Sequence, residues 1–404
     1  MKTGWQVKTL GEILQKTETT NPLQFPEAKF EYIDVSSVSN SAFQIEETQT
    51  LKGKDAPSRA RRLVKTNDVI FATIRPTLHR IAVVPESLDK QVCSTGYFVL
   101  RPQTEIDHKF LFYFLFTENF MGHMEQLQKG ASYPAVTDAE VRAQRIPFPP
   151  LPEQQGIVGI LDEAFDGIAT AKATAEQNLQ NARALFESHL QSVFTQRGEG
   201  GVEKPLGDVC DLLNGFAFKS GDAVPESDTQ LVRMGNLYGN KLDLDRNPVF
   251  YPDRFAVDYQ RYILSEGDII MSLTGTTGKE DYGYAVRIPK CEHALLMNQR
   301  ISKFDSVRED LVNRDYLLHY LRSRAFLDIL YPTANGTRQA NLSSVTIKTL
   351  PIPLCSIREQ KMIASSLESL LEETQRLESL YQRKLAALAE LKKSLLHQAF
   401  SGML

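Results

Sequence analysis

Two long stretches of the chain repeat apolar positions at intervals of three and four residues. In the first, Ile157, Leu161, Ala164, Ile168, Ala171, Ala175, Ala182, Phe186, Leu190 and Val193 form one stripe. In the second, Ile363, Leu367, Leu370, Leu377, Tyr381, Leu385, Leu388, Leu391 and Leu395 form another. That spacing belongs to helices packed along a seam, so both segments predict coiled-coil helices. Prolines set their starts (Pro147, Pro149, Pro150 and Pro152; Pro351 and Pro353), and Gly198-Glu199-Gly200-Gly201 predicts the end of the first. About forty residues at 1.5 Å each make a rod of roughly 60 Å. Two such rods predict an antiparallel pair, stripe against stripe, with alanine-rich stretches at 164–175 and 386–389 permitting close approach. Leu396 and Phe400 are left over as candidates to dock partner helices.

The rest of the chain reads differently. Residues 1–152 and 198–357 mix short β-branched and aromatic runs, such as Ile81-Ala82-Val83-Val84 and Tyr97-Phe98-Val99-Leu100, with Gly, Pro, Asn and Asp turns. One helix is predicted inside each, over Lys109–Met121 and over Arg314–Leu327. Strands and helices without regular alternation indicate an α+β globule.

The two halves repeat one another. Leu10-Gly11-Glu12-Ile13 matches Leu206-Gly207-Asp208-Val209, and Asn67-Asp68-Val69-Ile70 matches Gly267-Asp268-Ile269-Ile270. Gly130 with Pro134-Ala135-Val136-Thr137 matches Gly336 with Ala340-Asn341-Leu342-Ser343. Ile146-Pro147-Phe148-Pro149 and Glu153-Gln154 match Leu350-Pro351-Ile352-Pro353 and Glu359-Gln360. A period of about two hundred residues is a whole domain plus a helix, too long for a solenoid. The predicted layout is therefore a globule over 1–152, a helix over 153–197, a second globule over 198–357 and a second helix over 358–404, a pseudo-two-fold tandem repeat.

Composition narrows the functions. The 404 residues are 42% apolar and 24% charged, which excludes a disordered tail. The net charge of -4 excludes a protein that coats nucleic acid over its whole surface, so any such contact must come from local patches. Four scattered cysteines spell neither a disulfide framework nor a zinc site. MKTGWQVKTLGEIL lacks the apolar core of a signal peptide, and the longest apolar run, Phe110 to Phe116, is far below the roughly 18 residues of a membrane span. The expected compartment is the cytoplasm, with no membrane partner.

Catalytic signatures fail one by one. Thr274-Gly275-Thr276-Thr277-Gly278-Lys279-Glu280 approaches a phosphate loop, but Leu273 stands where its first Gly belongs and Glu280 replaces the magnesium-binding hydroxyl. No G-x-G-x-x-G, G-x-S-x-G or H-E-x-x-H occurs, nor a methyltransferase Asp/Asn-Pro-Pro-Tyr/Phe. The reading is a protein with no catalytic residue, cofactor site or metal site.

What remains is basic and amide chemistry at matching places. In the first globule Arg59, Arg61 and Arg62 share one loop, Arg75, His79 and Arg80 follow a strand, and Lys129, Ser132 and Tyr133 sit around Gly130. In the second, Arg233, Asn236, Thr276, Lys279, Asn298 and Arg300 join Thr337, Arg338, Gln339 and Asn341 around Gly336. Arg and Lys suit guanine edges and phosphates, and Asn and Gln suit adenine edges. These nineteen residues are the candidate DNA-binding set. A coiled-coil scaffold whose globules bind proteins is the alternative that the slight negative charge favours. Steep loss of DNA affinity with rising salt separates the two.

The chain resembles the specificity (S) subunits of type I restriction-modification systems. The resemblance is carried by LPEQQGIVGILDEAFDGI (151–168), its echo SIREQKMIASSLESLLEE (356–373), the closing KLAALAELKKSLLHQAFSG (384–402), and the Gly-Asp-Ile-Ile strand with its Gly-Thr-x-Gly turn (267–278). It implies two mixed α/β target recognition domains separated by two long antiparallel coiled-coil helices. It also implies a noncatalytic subunit whose globules each read one half of a bipartite double-stranded DNA site. Its helices would set the spacer and dock two methyltransferase (M) subunits that bring S-adenosylmethionine and modify adenines, with room for ATP-driven restriction (R) subunits. The first globule departs from the pattern, having Thr73-Ile74-Arg75-Pro76-Thr77 in place of the Gly-Thr-x-Gly turn.

Overall fold

Both striped segments are single helices in a computed structural model of the chain, which describes residues 4–130, 132–195 and 202–404. The central helix is Leu151–Thr195 and the distal helix Ile357–Ser401. The central helix begins two residues before the expected boundary, because Pro152 is accommodated in the first turn, where a backbone N–H has no intrahelical partner anyway. The glycine-rich stop expected at 198–201 lies outside the described residues. No helix among the described residues is long and apolar enough to cross a membrane.

The chain divides into two units, Met1–Glu176 with Gln382–Leu404, and Gln177–Tyr381. In the first unit, Gln6–Thr9 pairs antiparallel with Arg145–Phe148, closing the globule on itself just before the central helix. A four-stranded sheet takes the order Gln49–Lys52, Lys29–Ile33, Val92–Ser94, Ala60–Leu63, with a parallel pair at its centre. A three-stranded sheet of Ile81–Val83, Val69–Ala72 and Tyr97–Leu100 lies in the core. The second unit repeats the closure, Val202–Pro205 against Pro351–Leu354, and the parallel pair, Thr229–Val232 with Ala294–Met297.

The Asn-Asp-Val-Ile and Gly-Asp-Ile-Ile repeats encode one tight turn. Asn67 (φ +68°) and Gly267 (φ +87°) are left-handed, a conformation that favours Asn and Gly. The aspartate that follows accepts the backbone N–H of Lys65 in one unit and of Ser265 in the other, at 2.8 and 2.9 Å.

The single helix expected inside each globule is two. His108–Phe114 is followed by Glu118–Leu127, and Arg314–Arg322 by Arg324–Leu330. Thr117 and Ser323 explain the break, since each hydroxyl accepts the N–H three residues on and starts a new helix. Periodicity alone does not register a cap inside an apolar run.

The end portions of the two helices serve the globules. Ile157 and Leu161 of the central helix and Leu396, Ala399 and Phe400 of the distal helix are buried in the first unit's core with Leu10, Phe71, Phe110 and Phe120. Leu396 and Phe400, expected to dock partner helices, are instead core residues: the Phe400 ring lies 4.7 Å from that of Phe110 and 5.7 Å from that of Phe114. The second unit's core buries Leu190 and Phe194 with Ala364 and Leu367. Within each unit the two helices run antiparallel. Lys392 lies over the Phe165 ring in the first, and Arg183 donates to Glu378 at 3.1 Å in the second. Leu391, placed on the distal stripe from spacing, is exposed.

Candidate nucleic-acid interface

Each unit carries a seven-residue hairpin closed by the same bonds. In the first, the N–H groups of Lys129 and Ala135 donate to each other's carbonyls at 2.9 and 3.0 Å. In the second, Asn335 and Asn341 do so at 2.9 and 2.8 Å. The glycine after the first partner is left-handed in both, with φ +104° at Gly130 and +121° at Gly336. A Cβ on Gly336 would collide with the Gln339 carbonyl, so this turn requires glycine. Both hairpins hang on the preceding strand. Val136 N–H donates to Thr73 O at 3.0 Å, and Leu342 N–H to Leu273 O at 2.8 Å.

The departure at Thr73–Thr77 shortens this attachment without removing it. Thr274–Thr276 forms a three-residue ladder with Gln339–Asn341. The first unit keeps one bridge, Ile74 to Ala135. Arg75 (φ +50°) turns the chain away and Pro76 lacks the N–H that would extend the ladder.

Around the first hairpin the structure brings together Arg75, Lys129, Ser132 and Tyr133. Arg75 Nη2 donates to Ser132 O at 3.2 Å, and its guanidinium lies 5.3 Å from the centre of the Tyr133 ring, which is 71% exposed. Lys129 is exposed and pairs with Glu140 at 3.4 Å. Hydrogen bonds from the Thr137 N–H and hydroxyl, aided by Lys129, hold the Glu140 carboxyl below its ordinary range. The arginine–tyrosine pair is an exposed stacking platform of the kind that suits bases and phosphates.

The other first-globule candidates are mostly committed to the fold. Arg80 Nη1 donates to the carbonyls of Val35, Ser36 and Val38, which ties down the 35–38 segment. His79 is half-buried edge-on to Phe116, and burial, reinforced by Lys392, pushes its imidazole below its usual range. Arg62 pairs with Asp138 at 2.8 Å, and Arg61 Nη1 donates to Ala60 O. Arg80 and Arg62 thus tie together segments distant in the chain. Arg59 is exposed, and its carbonyl accepts the Thr95 N–H at 2.8 Å.

In the second unit Thr276, Lys279, Thr337, Arg338, Gln339 and Asn341 cluster at the hairpin. Thr276 donates from its N–H and hydroxyl to Asp281 at 2.6 and 2.7 Å. Burial works against the Asp281 charge, yet those bonds keep its carboxyl below the usual range. Thr337, Arg338 and Asn341 are exposed.

Arg233, Asn298 and Arg300 line a separate cleft of about 490 Å³. Two further lining residues, Arg246 and Asn247, escaped the sequence reading because they follow Asp243 and Asp245 in what reads as a solvated turn. Arg246 stacks on the exposed Tyr238 ring at 5.4 Å, and Arg233 donates to Asn247 O. Asn236, another candidate, is 2% exposed; its amide donates to Asp243 O and Arg246 O and accepts from Arg233 N–H. Asn236 thus spends its hydrogen bonds shaping the cleft. Among the described residues no carboxylate lines this cleft. An arginine-rich, carboxylate-free concavity attracts polyanions.

Comparison with known proteins fits this geometry. The family described as type I restriction modification DNA specificity domain matches residues 2–181 and 199–385. The specificity subunit of the type I restriction enzyme MjaVIII of Methanocaldococcus jannaschii is 26% identical over 297 residues, which are 70% of this chain and 68% of that protein. A solved chain from work on complex assembly and conformational transition of the type I R-M system superposes with a TM-score of 0.83 at 26% identity, covering 99% of this chain and 98% of that one. The HsdS subunit from Thermoanaerobacter tengcongensis superposes at 0.70, also 26% identical, over 100% and 98%. With the family matched once in each half of a duplicated chain, this protein belongs to the DNA specificity subunits of type I restriction-modification systems.

Proposed function

We propose that the chain reads a bipartite site on double-stranded DNA, one half per globule, and performs no chemistry of its own. The paired helices would then set the unread spacer and dock two methyltransferase subunits, with restriction subunits joining the complex in the cytoplasm. The observation that carries this reading is the duplicated hairpin. Two loops of opposite sequence character, Lys-Gly-Ala-Ser-Tyr-Pro and Asn-Gly-Thr-Arg-Gln-Ala, are held by the same backbone bonds on the same frame. A frame that is repeated while its exposed side chains differ suits two readers of different sequences.

The reading is tested by mapping adenine methylation across the genome of cells carrying this gene with a methyltransferase partner, before and after deleting this gene alone. Loss of methylation at a split motif of two short half-sites is the expected result. An unchanged pattern in cells shown to express the protein would overturn it and bring forward a scaffold for protein partners.

A further inference from the structure

The turn Asn298-Gln299-Arg300 has a counterpart in the first unit, Ser94-Thr95-Gly96. In both, the first residue's side-chain oxygen accepts the third residue's N–H, from Gly96 to Ser94 at 3.2 Å and from Arg300 to Asn298 at 3.1 Å. In both, the third residue's carbonyl accepts from the neighbouring strand, from Thr73 at 2.9 Å and from Leu273 at 2.8 Å. The backbone frame is therefore the same, and the side chains differ. A Cβ on Gly96 would lie 2.7 Å from Val35 Cγ2, so the first unit has no room for a side chain there. The second unit places two long, exposed polar side chains on this turn, and both line the arginine cleft.

We propose that Gln299 and Arg300 read two neighbouring base pairs of the second unit's half-site, and that the first unit reads its half-site without this turn. The inference rests on the DNA-reading function proposed above. Base readout needs side chains on a fixed backbone, and this turn is clamped on every side. Gln299 N–H donates to Phe216 O at 3.0 Å and Asn298 N–H to Val232 O at 3.1 Å. Gly215 permits the close approach, because a Cβ there would strike the Asn298 carbonyl. Among the described residues no carboxylate pairs with Arg300, which leaves its fork free for the O6 and N7 acceptors of guanine. The Gln299 amide matches the N6 and N7 pattern of adenine. Arg233 and Arg246 flank them as sequence-blind partners for phosphate.

The test is selection from random duplexes by the full chain, co-purified with its methyltransferase subunits, comparing wild type with Arg300→Ala, Arg300→Lys and Gln299→Ala. Both positions are exposed, and melting temperatures matching wild type verify folding. Arg300→Ala should lose about 5- to 150-fold discrimination at one G·C pair and Arg300→Lys a smaller part of it, with the other half-site intact and the salt dependence nearly unchanged. Gln299→Ala should relax a neighbouring A·T pair. If Arg300→Ala weakens every sequence equally and Arg300→Lys restores it, Arg300 binds phosphate and the inference fails. An unchanged preference in all variants also overturns it. If the wild-type complex itself selects no sequence, the DNA-reading function fails with it.

Discussion

The side-chain amide of Gln154 joins the start of the central helix to Asp107, whose backbone N–H donates to it at 2.9 Å, while its own NH2 group donates to Glu105 O and Pro149 O at 3.1 and 2.8 Å. Gln360 repeats this in the second unit, accepting from Asn313 at 2.8 Å and donating to Leu311 O and Cys355 O at 3.0 and 2.8 Å. Both glutamines are fully buried. Each fixes three things at once: the end of the last strand, the first turn of a long helix, and the N-terminus of the helix that begins at His108 or Arg314.

Gln154→Ala should destabilise the first unit by about 2–4 kcal/mol, since it orphans the buried Pro149 carbonyl and the part-buried Asp107 N–H and Glu105 carbonyl. Gln360→Ala should do the same to the second. Hydrogen exchange read peptide by peptide checks this: the loss of protection should centre on 105–114 in one variant and 311–322 in the other. A neutral outcome would mean that water replaces the amide.

His319 should make the second unit acid-sensitive. It is 1% exposed, 3.3 Å from Glu368, with Arg322 and Asp315 also facing it. Burial depresses its pKa below the ordinary 6.5, outweighing the opposing pull of Glu368. The folded state therefore holds the ring neutral, whereas the unfolded chain takes up a proton below 6.5, so this contribution to stability is present above that pH and is lost as the pH falls through it. The first unit has Tyr113 bonded to Asp162 in the corresponding place. His319→Tyr should flatten the decline in urea midpoint between pH 7.5 and 5.5; an unchanged slope would place the proton elsewhere.

Gly336→Ala should disorder the second hairpin while leaving the core intact. Its φ of +121° and the Gln339 carbonyl oppose a methyl group together, at a cost of about 1–3 kcal/mol confined to the loop. Faster exchange at the Asn335 and Asn341 amides, with little change in the main unfolding transition, is the expected signature.

Arg75 and Arg62 should separate binding from folding. Arg75→Ala removes an exposed guanidinium at the hairpin, so DNA affinity should fall for all sequences and the salt slope should shrink by about one. Arg62→Ala breaks the pair with Asp138, and should lower stability while leaving the salt slope unchanged.

The duplication, the α+β class and the two long helices could be read directly from the chain, because each rests on local physics. Helical periodicity marks Leu151–Thr195 and Ile357–Ser401, left-handed turns demand Asn67 and Gly267, and prolines punctuate the helix starts. The hairpin glycines were legible for the same reason. What only the tertiary structure decided is what each polar or apolar group meets. Leu396 and Phe400 show an apolar stripe without showing whether it faces a helix or the aromatic core that Phe110 and Phe114 supply. Arg75 and Arg80 are five residues apart and equally basic, yet one meets solvent, a tyrosine and one loop carbonyl while the other meets three carbonyls. Residue type and spacing carry local conformational preference, whereas a side chain's partners come from segments distant in the chain, and that pairing exists only once the fold has formed.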